Sequence, residues 1–277
     1  MAELRAVPDA SAPETVAAID SLLAAIGRLH RVRIPLAIES GSRAWGFPSP
    51  DSDYDCRFAF VRPLADYLTP WPRRDVIETP LDGLLDVNGW DLAKALTLML
   101  KGNAVVLEWL CSPFVYAGDR AFRDALVDLA RRHADRERIA RHYLHLGENQ
   151  RRTYFPDDRD VAIKKLFYAL RPAAALRWLR SHDAAVPPMH FPTLMSECDP
   201  PEELSGLVAE LLAAKARTRE LGSAAVPRPI AEFIDQEFAL ARKALTDEPR
   251  PPAPEAIREA ERFFRDAVMR YDAPAVG

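Results

Sequence analysis

The sequence predicts an α+β protein in which a small mixed sheet flanked by helices is followed by an all-helical region. Residues 36–38 and 54–61 are short apolar segments with the length of strands, and a loop rich in Gly, Pro and Ser joins them. Residues 76–78 and 84–87 are further segments of this kind. From residue 118 onward the apolar residues recur at helical spacing. We therefore expect the sheet to lie in the N-terminal part of the chain.

The helices are predicted from apolar residues that share one face at a period of 3.6 residues. In the first helix, Pro13 lies in the first turn, where proline is tolerated. Residues 114–116 are a candidate edge strand before the helical region. We accordingly predict two domains, at 13–117 and 118–272. The predicted helices cover residues 13–31, 92–101, 105–110, 120–133, 134–152, 161–180, 202–219, 230–245 and 255–271.

The composition is that of an ordinary globular protein. Hydrophobic residues make up 48% of the 277 residues and charged residues 28%. The formal net charge is −4, which excludes a strongly basic nucleic-acid coat, so any nucleic-acid-binding surface must be local. The three cysteines have no metal-type spacing, and the first residues lack the apolar segment of a signal peptide. No apolar run approaches the length of a membrane span, so we expect a cytoplasmic protein without membrane contact.

Two carboxylates stand at the beginning of the second strand. Asp53 and Asp55 are separated by one residue, and side chains two apart in a strand point to the same face. Tyr54 and Cys56 are then expected on the opposite, buried face. Adjacent like charges repel, and Mg²⁺ is commonly held by one or two carboxylates together with substrate phosphates. The pair therefore predicts a cation site, although a solvated acidic turn is the alternative reading of these two residues alone.

A Gly-Ser turn precedes the carboxylates by ten residues. The small side chains of Gly41 and Ser42 let backbone N–H groups approach an anion closely, and the Ser42 hydroxyl can donate a further hydrogen bond. Arg43 follows, and its guanidinium has the geometry to bind phosphate oxygens through two hydrogen bonds. Pairing of Arg43 with a nearby carboxylate is an equally good alternative. The turn adds a phosphate-binding element beside the predicted cation site.

These residues resemble a known family signature. Gly41-Ser42, ten residues and then Asp53-Tyr54-Asp55-Cys56 fit the hG[GS]…DhDh pattern of the DNA polymerase β-like nucleotidyltransferase superfamily. The wider string GSRAWGFPSPDSDYDCRF is similar to that of the nucleotidyltransferases found beside RNA ligases in bacterial and phage RNA repair. The similarity covers roughly residues 36–180 and continues through the strings DVNGWDLAKAL, NAVVLEWLCSPFVY and KKLFYALRPAAALRW. It implies a polymerase β-like catalytic core followed by a helical domain that completes the nucleotide-binding cleft.

The resemblance also implies a third carboxylate on a neighbouring strand. Asp86 is the better candidate because it lies within an apolar strand segment. Asp91 stands directly before a predicted helix, where an aspartate is typical of the N-cap. We take Asp86 as the third catalytic and metal-binding residue and leave Asp91 as the alternative.

The helix at 161–180 carries five basic residues and no acidic one. On a helical period Lys164, Tyr168 and Arg171 share one face, opposite an apolar face. Related enzymes place lysine and tyrosine from a helical domain against the nucleoside triphosphate, and the resemblance assigns these three residues that role. The alternative is a solvated basic face.

Together these features predict transfer of an NMP from an NTP to an acceptor hydroxyl, with release of pyrophosphate. By resemblance, Asp53, Asp55 and Asp86 hold two Mg²⁺ ions, which Mn²⁺ can replace, while Gly41, Ser42 and Arg43 bind phosphates. The first hypothesis for the acceptor is an RNA end, with an RNA ligase as functional partner. The second is a protein or small-molecule hydroxyl, as in AMP-transferring antitoxins. The third is a catalytically silent nucleotide-binding module. The sequence does not identify the nucleotide.

Overall fold

The computed structural model describes residues 3–155, 159, 161–217, 222–246 and 250–272. It confirms the predicted α+β class, with a mixed sheet near the N-terminus and a helical C-terminal region. The end of the predicted helix 202–219 lies outside the described residues.

The main sheet has five strands in the order β3-β4-β2-β1-β5. β2 and β4 pair in parallel and the other neighbours are antiparallel, so the sheet is mixed as predicted. The short β5 is the edge strand expected before the helical region. The strands are β1 (Arg33–Ser40), β2 (Tyr54–Val61), β3 (Val76–Glu78), β4 (Leu85–Asp91) and β5 (Val115–Gly118).

Each predicted helix is present, with ends that shift by a few residues. Two short helices follow the first two strands, and α9 lies in a segment expected to be only a Pro-rich connection. The helices are α1 (Pro13–His30), α2 (Gly41–Ala44), α3 (Leu64–Tyr67), α4 (Leu92–Leu100), α5 (Ala104–Cys111), α6 (Arg120–His133), α7 (Arg136–Tyr154), α8 (Ile163–Ser181), α9 (Phe191–Glu197), α10 (Glu202–Arg217), α11 (Arg228–Ala244) and α12 (Pro254–Tyr271). No helix in the described part of the chain is long and apolar enough to cross a membrane.

The C-terminal region also contains strands, so the expectation that it is helical throughout is wrong in this detail. β6 (Val161–Ala162) pairs with β7 (Ser223–Ala224) directly before α8 begins. Ala162, Gly222 and Ser223 line a cleft that also contains Asp53 and Asp55. This short ladder connects the beginning of α8 with the segment that follows α10.

The two faces of the sheet contribute to different hydrophobic cores. Helix α1 covers one face, where Ile19 packs with Tyr54 and Cys56. The other face, including Ile38, belongs to a large core that extends through the helical region as far as Tyr271. Burial of apolar surface therefore stabilises the sheet and the helices together. The division at residue 117 stays a prediction.

Helix α12 contacts the N-terminal half directly. The Tyr271 hydroxyl donates a 2.8 Å hydrogen bond to Asp119, and Asp272 accepts one of 2.7 Å from the backbone N–H of Leu64. Phe122 of α6 packs edge-on against the Tyr271 ring. The last described helix is thus part of the same packed unit as the sheet.

Helix α8 is enclosed beyond its first two turns, which corrects the expected position of Arg171. Arg171 is only 5% exposed, and its guanidinium lies 2.6 Å from Glu108, which is 4% exposed. Tyr143 donates a second hydrogen bond to Glu108, and the ring of Trp45 covers the Arg171 guanidinium at 4.2 Å. The prediction that Arg171 shares an accessible helix face with Lys164 is wrong, because α7 and α11 pack around α8 and bury the turn that contains Arg171.

We predict that Arg171→Met lowers the free energy of unfolding by about 3–5 kcal/mol, because it leaves the Glu108 carboxylate buried without its cation. The double variant Glu108→Gln/Arg171→Met should recover most of this loss, since the substituted amide is neutral and still accepts the Tyr143 hydrogen bond. Urea unfolding of the three proteins measures both effects. A double variant no more stable than Arg171→Met would contradict the assignment of a buried ion pair.

Candidate active site

The carboxylates of Asp53 and Asp55 lie on the same face of the sheet, as the alternation of side chains along a strand predicts. Tyr54 and Cys56 are 3% and 0% exposed and pack under α1, whereas Asp53 is exposed and Asp55 is half-buried on the opposite face. Asp53 directly precedes β2 and Asp55 is its second residue. Both side chains line one cavity of about 660 Å³.

The Gly-Ser turn lies directly against Asp55. Ser40, the last residue of β1, pairs with Asp55 in the sheet, and the chain then turns into the single-turn helix α2. Gly41 has a φ of +69°, and a Cβ atom there would lie 2.1 Å from Oδ2 of Asp55. Glycine is therefore required both by the backbone conformation and by the carboxylate beside it. The predicted phosphate-binding turn and the predicted cation site are brought together.

The loop between the two strands is held by its own polar groups. The Ser42 hydroxyl donates to the hydroxyl of Ser52 at 3.0 Å, and Ser52 in turn accepts from the backbone N–H of Ser49. Arg43 donates to the backbone carbonyls of Ser52 and Asp53, at 2.6 and 3.1 Å. Its guanidinium also stacks on the Tyr54 ring at 3.7 Å. Arg43 thus binds backbone carbonyls, where the sequence suggested either phosphate or a carboxylate.

The parallel register of β2 and β4 places Asp86 directly opposite Asp55. The Arg57 guanidinium lies between the two carboxylates, 3.2 Å from Oδ1 of Asp55 and 2.7 Å from Oδ2 of Asp86. Oδ1 of Asp86 accepts a 2.6 Å hydrogen bond from the side-chain amide of Asn88. Burial raises the pKa of Asp55 to about 6; the Arg57 cation lowers it, and the charges of Asp86 and Asp53 raise it further.

Asp91 is the N-cap of α4, as its position directly before the predicted helix indicated. Its carboxylate accepts a 2.9 Å hydrogen bond from the N–H of Ala93 and another from the hydroxyl of Tyr67. It is 4% exposed and pairs in the sheet with Phe60, five positions after Asp55. Between the two candidates, Asp86 is the one beside Asp55.

The opposite wall of the cleft comes from the helical region. Lys164, Lys165 and Tyr168 of α8 line it, and Lys165 lies over the Tyr168 ring at 4.7 Å. Lys215 of α10 also lines the cleft, and its ammonium donates a 2.7 Å hydrogen bond to the carbonyl of Phe47. Burial lowers the pKa of Lys215 to about 8. Three lysines therefore face the carboxylates across the cleft.

Sequence reasoning missed Lys215 because the apolar spacing of residues 202–219 predicts only an ordinary amphipathic helix. A signal was present: Lys215 follows Leu204 and Val208 on the buried side of α10, where a lysine interrupts the apolar face. A cation at a core position is uncommon without a partner or a function.

Sequence reasoning also missed Glu39, whose carboxyl group binds the backbone of Asp55. Glu39 is 0% exposed; Oε1 accepts the backbone N–H of Asp55 at 3.0 Å and Oε2 accepts the Tyr116 hydroxyl at 2.5 Å. Burial raises its pKa from 4.5 to about 8, against the opposing effect of both hydrogen bonds. The signal was an acidic residue inside the apolar strand LAIES.

Similarity to known proteins places this chain in a family. A family model, RlaP, described as the RNA repair pathway DNA polymerase beta family, matches residues 16–266. The chain belongs to this family. Its members are nucleotidyltransferase-like, which confirms the resemblance found in the sequence and implies a nucleotidyltransferase-type role. A curated relative, the uncharacterized protein YcgL of Bacillus subtilis (strain 168), is 40% identical over 213 residues, which cover 77% of this chain and 81% of that protein.

The family implies a divalent cation, and the residues present fit one in part. Asp53 and Asp55 supply carboxylate oxygens in a cleft that lysines also line, and oxygen ligands of this kind suit Mg²⁺. Both oxygens of Asp86 already accept a hydrogen bond within the protein, one from Arg57 and the other from Asn88. Among the described residues no three His, Cys, Asp or Glu side chains converge as a metal cage. The three-carboxylate, two-ion arrangement stays a prediction.

We predict that the stability of the protein relative to Glu39→Gln falls as the pH rises from about 5 to about 8. With the folded pKa raised from 4.5 to about 8, folded Glu39 keeps a proton that the unfolded chain releases. The proton-linked stability is therefore complete at low pH and is lost as the pH rises through the folded pKa. The glutamine that replaces Glu39 in the variant does not titrate. Its carbonyl oxygen can accept from the Asp55 N–H, and its NH2 group can donate to the Tyr116 hydroxyl oxygen.

Urea unfolding of both proteins across this pH range, in the presence of a chelator, measures the difference. Each unit of pKa shift contributes about 1.4 kcal/mol to the change. Parallel stability curves for the two proteins would show that Glu39 does not hold a proton in the folded state.

Proposed function

We propose that this protein is a Mg²⁺-dependent nucleotidyltransferase that moves an NMP from an NTP to an acceptor hydroxyl, and that the acceptor is an RNA end. The observation that carries the proposal is the composition of one cleft. Asp53 and Asp55 lie on one wall beside the Gly41-Ser42 turn, and three lysines from α8 and α10 lie on the other. A triphosphate needs cations and backbone N–H donors together, and the cleft supplies both.

In the proposed reaction the acceptor oxygen forms a bond to the α-phosphorus, and the bond from that phosphorus to the pyrophosphate oxygen breaks. The bound cation would supply positive charge at the α-phosphate and assist deprotonation of the hydroxyl; Mn²⁺ can serve in its place. Asp53 and Asp55 would hold it. Lys164 and Lys165 stabilise the negative charge that accumulates on pyrophosphate as it leaves. No protein nucleophile is required.

The RNA acceptor is supported by the family, whose description names an RNA repair pathway. The lysines of the cleft give a local cationic surface on a chain whose net charge is −4, as binding of a polyanion requires. In such a pathway an RNA ligase is the expected functional partner, since an end that has received a nucleotide can then be joined.

The deciding experiment is a label-transfer assay with Mg²⁺, each α-labelled NTP and a panel of RNA ends. We expect label on RNA, and a loss of at least about a hundredfold in the double variant Asp53→Asn/Asp55→Asn, because it removes the charges that hold the cation. The variant should stay folded, since removing neighbouring charges relieves repulsion. Glu232→Gln, in an exposed pair with Arg228 outside the cleft, is the matched control and should keep full activity.

The other outcomes of this assay separate the remaining hypotheses. Label on the protein or on a small molecule would identify an antitoxin-like transferase acting on another hydroxyl. Label in no lane, with nucleotide still bound, would indicate a silent nucleotide-binding module. Activity that survives the double substitution would refute the carboxylate site.

We also predict that Lys164→Ala and Lys165→Ala each raise the KM for NTP by about tenfold, because each removes a charge beside the phosphates that is worth about 1–2 kcal/mol. Lys101→Ala, at an exposed position after α4, is the matched control. Steady-state kinetics in Mg²⁺ measures the effect. An unchanged KM in both cleft variants would place the triphosphate elsewhere.

A further inference from the structure

We infer that the Arg57 guanidinium acts as a built-in cation between Asp55 and Asp86, so that the cleft binds one divalent ion, at Asp53 and Asp55, instead of two. The inference rests on the proposed function and concerns the same site. In this inference Arg57 is a positioning residue, and its side chain takes the place of one metal ion.

The strand geometry places Arg57 at this point. Residues two apart share a face, so Arg57 follows Asp55 on the polar face of β2. The parallel register pairs Asp55 with Asp86 and Arg57 with Asn88, which puts all four side chains on one side of two adjacent strands. Neighbouring strands lie about 4.8 Å apart, so the two carboxylates are close enough for one guanidinium to contact both.

Arg57 is fixed in this position by the backbone as well as by the carboxylates. Nη1 donates to the carbonyls of Asp86 and Cys56, at 2.8 and 3.1 Å, while Nη2 contacts both carboxylates. The side chain is 18% exposed. A guanidinium held by four acceptors is a built part of the strand pair and not a mobile surface group.

The oxygens that remain fit one ion. Asp86 uses Oδ2 for Arg57 and Oδ1 for Asn88, so both of its oxygens have partners within the protein. Asp55 gives Oδ1 to Arg57 and keeps Oδ2 beside Gly41, at the cleft, where Asp53 is exposed. A second ion between Asp55 and Asp86 would have to displace the Arg57 guanidinium from both carboxylates.

The inference is tested by counting bound Mn²⁺ from the EPR signal of the free ion, without nucleotide. The wild-type protein should bind about one Mn²⁺ per chain and show no spin-coupled pair. Arg57→Ala should bind about two, with the coupled signal of ions about 4 Å apart, because it frees an oxygen on each carboxylate. Arg57→Ala/Asp86→Ala should bind about one again.

Thermal unfolding gives an independent readout. Mn²⁺ should raise the midpoint of Arg57→Ala more than that of the wild type, since the metal replaces the lost cation. Arg57→Gln keeps a hydrogen-bond donor but not the charge, and Mn²⁺ should also raise its unfolding midpoint more than that of the wild type. This variant replaces Arg57→Ala in the experiment if the alanine variant does not fold. Arg74→Ala, from an exposed pair with Glu78, is the matched control and should bind metal like the wild type.

Three results would overturn the inference, and they differ in what else they refute. About two Mn²⁺ ions per wild-type chain, with spin coupling, would show that Arg57 moves aside and would leave the proposed function intact. Equal stoichiometry in the wild type and Arg57→Ala would remove the role of Arg57 alone. Absence of bound Mn²⁺ in the wild type and in every variant would refute the cation site at Asp53 and Asp55 as well.

Discussion

The parallel pairing of β2 with β4 is the constraint on which the site depends, because it sets two carboxylates side by side. Asp55 and Asp86 are direct partners in the register, and like charges at that spacing are unfavourable without a cation. Arg57 supplies one from the same face, while Glu39 binds the backbone of Asp55 from the opposite face. The Gly41 turn then approaches within van der Waals reach of the carboxylate because it has no side chain. Each of these contacts therefore depends on how β2 and β4 pair.

The second wall of the cleft depends on a different interaction, buried in the helical region. The Glu108–Arg171 ion pair connects α5, beneath the sheet, with α8, which carries the cleft lysines. Such a pair contributes little net stability compared with an apolar replacement, but it is specific in geometry. It holds α8 against α5 at Arg171, one turn after Tyr168.

Features that depend on local periodicity could be predicted from the sequence. Contacts between particular pairs of residues could be predicted less often. Strand alternation predicted which face Asp55 and Tyr54 occupy, and capping chemistry predicted the place of Asp91. Helical periodicity failed for Arg171, because a wheel shows which residues share a face but not which neighbouring helices cover it. Glu39 and Lys215 were missed since their partners lie far along the chain, at Tyr116 and Phe47.

The contacts of α12 bear on how the chain acquires its structure during synthesis. The large core includes Tyr271, whose hydroxyl binds Asp119, and Asp272 binds the backbone of Leu64. These partners are separated by about 150 residues or more, and long-range contacts form late because a large loop must close first. These contacts therefore form only after residues 271 and 272 have been synthesised, so the sheet acquires this part of its covering late. Until then the nascent N-terminal half keeps apolar surface exposed to the chaperones that bind such surfaces.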